Sequence, residues 1–479
     1  MADDLGHLGA RHAVVIGGSL AGLLAARVLS EHAERVTVVE RDRLPEGPDA
    51  RPGVPQGRHT HVLIEGGQKA LDELLPGFTD ELTELGAPLV GMPSDMIQWQ
   101  NGQWFRRTAA TTSIHTGPRA QLEWLVRRRV LADPRIEVVE GVETVGLTGD
   151  SARVRGVLLR ERGAGRKTAA GTGTGGTGTG TGSGGEARTL AADLVVDASG
   201  RGSHAPDWLA AIGAEAPHEE VIDTGLAYST RVYRGPVDGS TDALGFNIVP
   251  NPRQVYGGVV VPVGGGRHLV TLSGLRDDLP PTDEAGFEEF AKRLPHPLVS
   301  EWLARAEPES SVFGFRKTAN VRRRYDRPGR RPAGFLAIGD ALCAFNPIYG
   351  QGMAVAAISA VALRRALTDP RRTATTRTVQ KALLDASKPA WDISAGADRK
   401  MPGAIGNAVG AGPADKPVGW YLRRLQERYA GDPVVGAAFR SVLTLTAPMT
   451  ALFAPAVARA VLFGAIPQTP SEPPLRREA

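Results

Sequence analysis

The sequence predicts a mixed α/β (α+β) fold: a parallel-sheet domain, an antiparallel sheet inserted into it, and a C-terminal helical region. Three observations predict this fold. A strand–helix–strand pattern occupies residues 12–40, several strand-like runs follow one another over residues 221–275 and 312–325, and helical patterns follow residue 353. With 479 residues, the chain has room for two or three domains with a substantial buried core.

The composition excludes several classes of function. The formal net charge is +4 and the basic residues are scattered, whereas a nucleic-acid partner requires a concentrated basic face. Cys343 is the only cysteine, which excludes an internal disulfide framework and a cysteine-built metal site, and we expect no metal. The acidic, polar first residues do not resemble a signal peptide, so we expect a cytoplasmic location.

The first predicted element is a βαβ unit. Arg11–Ile16 and Arg35–Val39 are apolar and β-branched, as strands are, and Leu20–Ser30 between them carries apolar residues at helical spacing.

Glycines stand where this first strand turns into the helix, at Gly17, Gly18 and Gly22, and Glu40 ends the second strand. Glycine lets the backbone approach a pyrophosphate, which the free N–H groups at the helix N-terminus then bind. An acid about 20 residues further on accepts hydrogen bonds from a ribose. The pattern therefore predicts a dinucleotide site. Ser19 replaces the middle glycine of the usual GxGxxG pattern; its hydroxyl could donate to a phosphate oxygen, and we expect binding to persist.

A β-hairpin is predicted near residue 100. Asn101-Gly102 tolerates the positive φ angles of a type I′ turn, and Trp99 and Trp104 flank it symmetrically. We interpret the two tryptophans as a pair that stabilises the hairpin, and a substrate contact is the alternative.

Gly163–Gly185 is a low-complexity segment rich in glycine and threonine, with nothing apolar beyond alanine to bury. It is predicted to be a flexible loop without function that joins the strands Val154–Arg160 and Leu194–Val196.

The antiparallel sheet is predicted from strand-like runs, interrupted by one helical stretch, Asp283–Arg305. These runs are Leu226–Tyr233, Val255–Val263, His268–Leu275 and Val312–Thr318. The predicted bounds are 1–90, 111–215 and 331–400 for the parallel-sheet domain, 91–110 and 216–330 for the antiparallel-sheet domain, and 401–479 for the helical region.

Two further motifs follow buried strands. Asp193–Ser203 is an apolar strand that runs into a glycine-rich turn, as expected where a sheet edge lines a ligand crevice. Gly334–Met353 places Asp340 after a strand and opens a long helix at Gly350–Gly352. The carboxylate can bind sugar hydroxyls, and the helix N-terminus can stabilise an anion by about 0.3–1 kcal/mol per contact.

In this order and spacing, the three motifs resemble those of the FAD-dependent monooxygenases related to p-hydroxybenzoate hydroxylase and squalene epoxidase, over roughly residues 11–368. Within that superfamily, Arg51–His61, Asp197–Ser203 and Asn346–Met353 look like the epoxidases of polyether-antibiotic pathways. The second motif has Asp197-Ala198 where aromatic hydroxylases usually have Asp-Gly, which weakens the assignment as an aromatic hydroxylase.

The resemblance implies a Rossmann-like FAD-binding domain of the glutathione-reductase type, with the antiparallel sheet as its substrate domain. Glu40 would bind the adenosine ribose, Arg119 the phosphate side and Asp340 the ribityl or pyrophosphate region, while the flavin itself carries the chemistry and no catalytic side chain is implied. The implied FAD-binding residues are Gly17, Gly18, Ser19, Ala21, Gly22, Glu40, Arg41, Arg58, Arg119, Asp340, Pro347, Gly350, Gln351, Gly352 and Met353.

The resemblance further implies that reduced FAD and O2 form a C4a-hydroperoxide, which epoxidises the alkenes of an apolar, polyketide-like polyene, possibly tethered to a carrier protein. No second dinucleotide pattern is visible, so NAD(P)H would bind transiently or a separate flavin reductase would supply electrons. Aromatic hydroxylation and alkene reduction of the geranylgeranyl-reductase kind remain alternatives, as does a flavin-binding partner protein without turnover. A flavin halogenase is disfavoured because its WxWxIP signature is absent.

The most apolar segment is Ser441–Ile466, which Pro448, Pro455 and Arg459 interrupt. A membrane span needs about 20 uninterrupted apolar residues. We therefore expect packed helices rather than a membrane contact; an interfacial or substrate-covering role is the alternative.

Overall fold

The computed structural model describes residue 5 and residues 12–162, 187–327, 329, 331–410 and 415–478. The strands are β1 (His12–Ile16), β2 (Arg35–Glu40), β3 (Val62–Ile64), β4 (Leu89–Met92), β5 (Met96–Gln100), β6 (Gln103–Trp104), β7 (Thr112–Thr116), β8 (Ile136–Glu140), β9 (Val142–Gly149), β10 (Val154–Glu161), β11 (Arg188–Ala191), β12 (Leu194–Asp197), β13 (His218–Ile222), β14 (Leu226–Arg234), β15 (Gly245–Val249), β16 (Gly257–Gly264), β17 (Arg267–Leu275), β18 (Glu307–Pro308), β19 (Phe313–Phe315), β20 (Asn320–Arg324), β21 (Phe335–Ala337) and β22 (Cys343–Ala344). The helices are α1 (Leu20–Leu29), α2 (Glu65–Leu74), α3 (Phe78–Glu84), α4 (Arg119–Val130), α5 (Ala205–Ala211), α6 (Glu284–Ala291), α7 (Leu298–Leu303), α8 (Gly352–Thr368), α9 (Thr376–Asp398), α10 (Asp415–Gln426), α11 (Pro433–Leu443) and α12 (Pro455–Phe463).

A five-stranded parallel sheet forms the centre of the first domain, in the order β21–β12–β1–β2–β8. All five residues of β1 are buried, as expected for a strand covered on both faces. Helices α1 and α8 pack against each other. The predicted βαβ unit is confirmed as β1–α1–β2, and the predicted mixed α/β fold is the fold observed.

The antiparallel sheet has the strand order β18–β14–β17–β16–β15–β5–β6, and β19 also pairs with β14. Its β5–β6 hairpin is confirmed: Trp99 lies opposite Trp104, and Asn101 and Gly102 have φ angles of 52° and 82°. The strand β5 joins the rest of the sheet through a parallel pairing with β15. The hairpin near residue 100 and the strands after residue 225 therefore form one sheet despite their separation in sequence.

Several predicted elements were wrong in detail. The predicted helix Asp283–Arg305 is two helices, α6 and α7, because Pro295 and Pro297 interrupt the helical hydrogen bonding. The predicted strand Val312–Thr318 is shortened to β19. The predicted direct connection to the Leu194 strand is also wrong, since β11 intervenes and pairs with β10. The glycine-rich segment 163–185 lies outside the described residues.

The C-terminal helices α10, α11 and α12 surround an apolar cluster of their own, which includes Leu425, Tyr429, Val435 and Val461. The cluster contacts the β-hairpin region through Phe105, whose ring centre lies 4.8 Å from that of Tyr429. Across the described residues, every helix is too short or too polar to span a bilayer. The exact domain bounds stay a prediction.

Candidate cofactor site

The three sequence motifs meet at the carboxyl edge of the parallel sheet. Gly17 follows β1, Glu40 ends β2, Asp197 ends β12 and Gly339 comes two residues after β21. These strands are parallel neighbours, so their ends line one crevice. The carboxyl edge is the usual ligand position in such sheets.

The β1–α1 turn requires its glycines. Gly17 has φ +103°, and a Cβ on it would lie 2.6 Å from the carbonyl oxygen of Ala198. A Cβ on Gly22 would lie 1.8 Å from the carbonyl oxygen of Gly17. The N-cap residue of α1, Ser19, makes no side-chain capping bond. The first N–H groups of α1 therefore remain available to an anion.

Arg51 lies among three carboxylates at this end of the crevice. Its Nη1 is 3.0 Å from Glu40 Oε2 and 3.4 Å from Asp42 Oδ2, and its Nε is 2.7 Å from Glu123 Oε1. All four side chains are buried, at 7% exposure or less. Glu40 Oε2 also accepts a hydrogen bond from the Gly18 N–H at 2.7 Å. Arg51 thus supplies the charge that buried carboxylates need, and Glu40 is held beside the glycine turn.

Electrostatics keeps the Arg51–Glu123 pair ionised. Burial opposes charge on Glu123, but Arg119 and Arg51 outweigh it and lower the pKa of this carboxyl. Burial likewise opposes charge on Arg51, and the two acids Glu123 and Glu40 outweigh it and raise the pKa of the guanidinium.

The Ser19 hydroxyl has protein partners on both sides. It donates to Glu123 Oε2 at 2.8 Å and accepts from Arg119 Nη2 at 3.1 Å. Its single proton is therefore committed to Glu123, so the expected donation to a phosphate oxygen would require this bond to break. Arg119 keeps a buried Nε without a hydrogen-bond partner among the described residues.

The turn over residues 346–352 leads into α8 and leaves the helix N-terminus open. Gly350 has φ +66°, a left-handed conformation, and Gln351, the N-cap residue, makes no side-chain capping bond. Apart from its own chain neighbours and helix backbone, no atom of the described residues would lie within 4 Å of a Cβ on Gly352. Gln351 Oε1 is buried and has no partner among the described residues. The first N–H groups of α8 are thus free to bind an anion.

The segments of the first and third motifs are neighbours in space. A Cβ on Gly339 would lie 2.6 Å from the Cβ of Ala21, in the first turn of α1. The third motif therefore packs directly against the helix that the first motif begins.

An apolar cluster lies between the antiparallel sheet and the 346–352 turn. Leu226 and Tyr228 of β14 and Leu275 of β17 pack with Met401, and Ile348 of the turn packs against them. The cluster joins the sheet, the turn and the residues that follow α9.

Aromatic contacts extend this cluster. The rings of Tyr228 and Phe315 stack with centres 5.3 Å apart, and His59 meets Tyr228 edge-on at 4.9 Å. His59 Nδ1 lies 2.8 Å from Thr230 Oγ1. Burial, assisted by the charge of Arg58, lowers the pKa of His59 to about 4, so this imidazole is neutral at neutral pH.

Comparison with known protein families shows to which family this chain belongs. The model of a family described as FAD binding domain matches residues 11–395. The chain belongs to the FAD-binding domain family.

Individual proteins resemble this FAD-binding domain protein to different degrees. Protein Rv3254 of Mycobacterium tuberculosis is 35% identical over 361 residues, which cover 74% of this chain and 73% of that protein. The structure of p-nitrophenol 4-monooxygenase PnpA from Pseudomonas putida DLL-E4 is similar with a TM-score of 0.57 and 17% identity, over 85% of this chain and 91% of that one. The flavin-dependent brominase Bmp2 is similar with a TM-score of 0.62 and 14% identity, over 90% and 93%. At these identities, the two structures establish a shared fold.

The residues of the crevice fit FAD. The open N-termini of α1 and α8 are two positions for negative charge, as a pyrophosphate and a flavin require. Within the described part of the chain, Arg119 Nε and Gln351 Oε1 are a buried donor and a buried acceptor without a hydrogen-bond partner. Such orphaned groups are rare in native proteins unless a ligand or water satisfies them.

Most of the predicted FAD-binding residues lie on the segments that line this crevice. These are Gly17, Gly18, Ser19, Ala21, Gly22, Glu40, Arg119, Asp340, Pro347, Gly350, Gln351, Gly352 and Met353. The other two, Arg41 and Arg58, are exposed and contact protein groups: Arg41 donates to the Gly53 carbonyl at 3.2 Å, and Arg58 lies 4.9 Å from the ring centre of Phe313. The contacts of all these residues with FAD remain predictions.

Sequence reasoning missed three charged residues near the site. Arg51 begins a motif that assigns it no role, and Glu123 lies inside the helix α4. Asp398, which hydrogen bonds to the 346–352 turn, ends a helix 45 residues beyond the last motif. The contacts Arg51–Glu123 and Tyr349–Asp398 join residues 72 and 49 positions apart, which neither spacing nor periodicity indicates. Arg119 and Glu123, by contrast, stand at helical i,i+4 spacing.

Proposed function

We propose that this protein is an FAD-dependent monooxygenase that epoxidises an alkene of an apolar polyene. One atom of O2 enters the alkene, the other leaves as water, and two electrons come from NAD(P)H or a separate flavin reductase. Membership of the FAD-binding domain family and the sequence resemblance to polyene epoxidases support the proposal. The substrate is a free or carrier-bound small molecule.

The apolar cluster between the antiparallel sheet and the 346–352 turn carries the proposal. Leu226, Tyr228, Leu275 and Met401 are at most 8% exposed, and Ile348 comes from the turn proposed to face the flavin. An alkene has no acidic proton, so its epoxidation needs an apolar, dry surface rather than a general base. The neutral His59 is consistent with such a surface.

Reduced FAD, when bound, would supply the two electrons that activate O2, and O2 would supply the transferred oxygen atom. The protein's own residues would bind the cofactor and orient the substrate. The N-terminus of α8 would stabilise negative charge on the ligand, and Arg119 would neutralise phosphate. Tyr228 and Phe315 would pack against the polyene and exclude water.

The decisive experiment incubates the FAD-loaded protein with a reductant, O2 labelled with oxygen-18, and a panel of linear polyenes. The proposal predicts a product that gains one labelled oxygen atom as an epoxide, which acid opens to a diol. A phenol from an added aromatic substrate would instead indicate a hydroxylase. A saturated product formed without O2 would indicate a reductase, and a bromide-dependent halogenated product a halogenase. Each of these results, or no product from any polyene with reducible bound flavin, would contradict the proposal.

A further inference from the structure

Asp398 is a buried carboxylate at the C-terminal end of α9, and it is 2% exposed. Its Oδ2 accepts hydrogen bonds from Asn320 Nδ2 at 2.6 Å and Asn346 Nδ2 at 3.0 Å, and its Oδ1 accepts from the Tyr349 hydroxyl at 2.6 Å. Two of these three donors belong to the turn that leads into α8. The carboxylate thus ties α9 and β20 to the segment proposed to face the flavin.

The orientation of both amide groups follows from the backbone. Asn320 Oδ1 accepts from the Asn346 N–H at 2.8 Å and from the Ser394 hydroxyl at 2.5 Å, and Asn346 Oδ1 accepts from the Ile348 N–H at 3.3 Å. A backbone N–H can only donate, so both amide oxygens are committed and both NH2 groups face Asp398. Asp398 Oδ2 must therefore act as an acceptor.

This network is saturated and lies away from water. Burial raises the pKa of Asp398, and the hydrogen bonds from Tyr349, Asn346 and Asn320 act against that rise. Burial and the neighbouring Asp398 also raise the pKa of Tyr349, so the phenol keeps its proton and donates it. Fully satisfied buried polar networks rigidify the segments that they join.

We propose that Asp398 is a positioning residue for bound FAD: through Tyr349 and Asn346 it fixes the turn that presents the N-terminus of α8 to the flavin. This inference rests on the proposed placement of the flavin at that turn. Met401, three residues beyond Asp398, belongs to the apolar cluster together with Ile348. The same end of α9 therefore supports both the cofactor side and the substrate side of the turn.

The test compares Asp398→Asn and Tyr349→Phe with a matched control, Asp385→Asn. Asp385 lies on the same helix, is 60% exposed and pairs with Lys381. Three quantities are measured on the full-length protein: the dissociation constant for FAD, the midpoint potential of the bound flavin, and the melting temperature without FAD.

We expect Asp398→Asn to weaken FAD binding by at least about tenfold, because one amide oxygen replaces two acceptors and the charge is lost. Tyr349→Phe removes a single hydrogen bond and should weaken binding by about threefold or more. The midpoint potential should become more positive in Asp398→Asn, since reduction adds negative charge to the flavin and this carboxylate opposes it. Asp385→Asn should match the wild type in all three measurements.

A purely structural role would lower the melting temperature of the variants but leave the dissociation constant and the potential within error of the wild type, and that result overturns the inference. If Asp398→Asn fails to fold, the test rests on Tyr349→Phe. An affinity for FAD equal to that of the wild type in Tyr349→Phe would then contradict the inference. Failure of the wild type to bind FAD overturns both this inference and the proposed function. If the variants bind FAD more weakly but the wild type forms no epoxide, the proposed function is overturned and this inference stands.

Discussion

At the scale of single residues, the crevice depends on one guanidinium surrounded by acids. Arg51 contacts Glu40, Asp42 and Glu123, all of them buried. Without it, three carboxylates would face one another and the incoming pyrophosphate. Arg119 pairs with Glu123 at 3.6 Å and offers a second positive charge. The two arginines make an acidic strand end compatible with an anionic ligand.

Arg51→Met should therefore destabilise the protein by about 3–5 kcal/mol, the usual effect of removing one partner from a buried ion pair. Urea unfolding of the FAD-free protein measures this loss. Arg371→Met, at an exposed arginine without a side-chain contact among those described, is the control and should change stability by less than about 0.5 kcal/mol. Equal effects of the two substitutions would refute the assigned role of Arg51.

His59 makes stability depend on pH. Its folded-state pKa of about 4 lies below the ordinary value of 6.5. Above pH 6.5 the imidazole is neutral in both the folded and the unfolded chain, and its full contribution to the free energy of unfolding is present. It declines as the pH falls toward 4, because the unfolded chain takes up the proton first. Over this pH range the free energy of unfolding falls by about 3 kcal/mol because of His59.

His59→Asn can keep the hydrogen bond to Thr230 but cannot titrate. The difference in unfolding free energy between pH 7.5 and pH 4.5 should therefore be smaller in this variant than in the wild type. The other buried histidines are present in both proteins, so the comparison reports the titration of His59 together with its charge coupling to His61. Identical pH profiles would show that its imidazole is not desolvated.

At the scale of elements, the N-terminus of α8 is the feature proposed to face the flavin. Gly352→Ala adds a methyl group where, beyond the local helix backbone, no atom of the described residues lies within 4 Å. We expect an unchanged or slightly higher melting temperature without FAD, since alanine favours helices. We also expect FAD binding to weaken by about fivefold or more, because the methyl group enters the ligand's space.

Gly396→Ala is the matched control, since it also adds a methyl group to a helix with no atom within 4 Å. It should stabilise the protein by about 0.5–1 kcal/mol and leave FAD binding unchanged. Equal FAD affinities in the two variants would place the ligand elsewhere.

Elements defined by local signals were predictable from the sequence. The glycine turn after β1, the Asn101-Gly102 hairpin and the helix that begins near Gly352 each carry their own residue chemistry. Elements that depend on distant partners were not predictable from the sequence. The strand β11 pairs with β10 across the segment outside the described residues, and β5 pairs with β15, which lies far from it in sequence. The acid cluster around Arg51 likewise brings together residues 72 positions apart.

At the scale of the whole molecule, the FAD crevice is assembled from segments that lie far apart in the chain. The first strand and helix supply one half, and the 334–353 segment supplies the other. The antiparallel sheet reaches the crevice through β14 and the apolar cluster. This arrangement explains why sequence motifs that lie far apart in the chain come together at one edge of the parallel sheet.

The 163–185 segment should be dispensable for this assembly. Leu159 and Arg188 are paired neighbours in β10 and β11, so a short turn can connect the two strands. Replacing residues 164–185 with a four-glycine linker should leave the melting temperature and FAD affinity close to those of the wild type. A loss of FAD binding in a folded variant would assign the segment a role at the site.

The central claim is that the N-termini of α1 and α8 bind the two ends of one FAD molecule. Equilibrium titration of the FAD-free protein, followed by quenching of flavin fluorescence, tests it most directly. The account predicts one FAD per chain, competition by ADP, and weak binding of FMN, which lacks the adenosine half. Absence of saturable FAD binding, or FMN binding as tight as FAD with no competition from ADP, would contradict it.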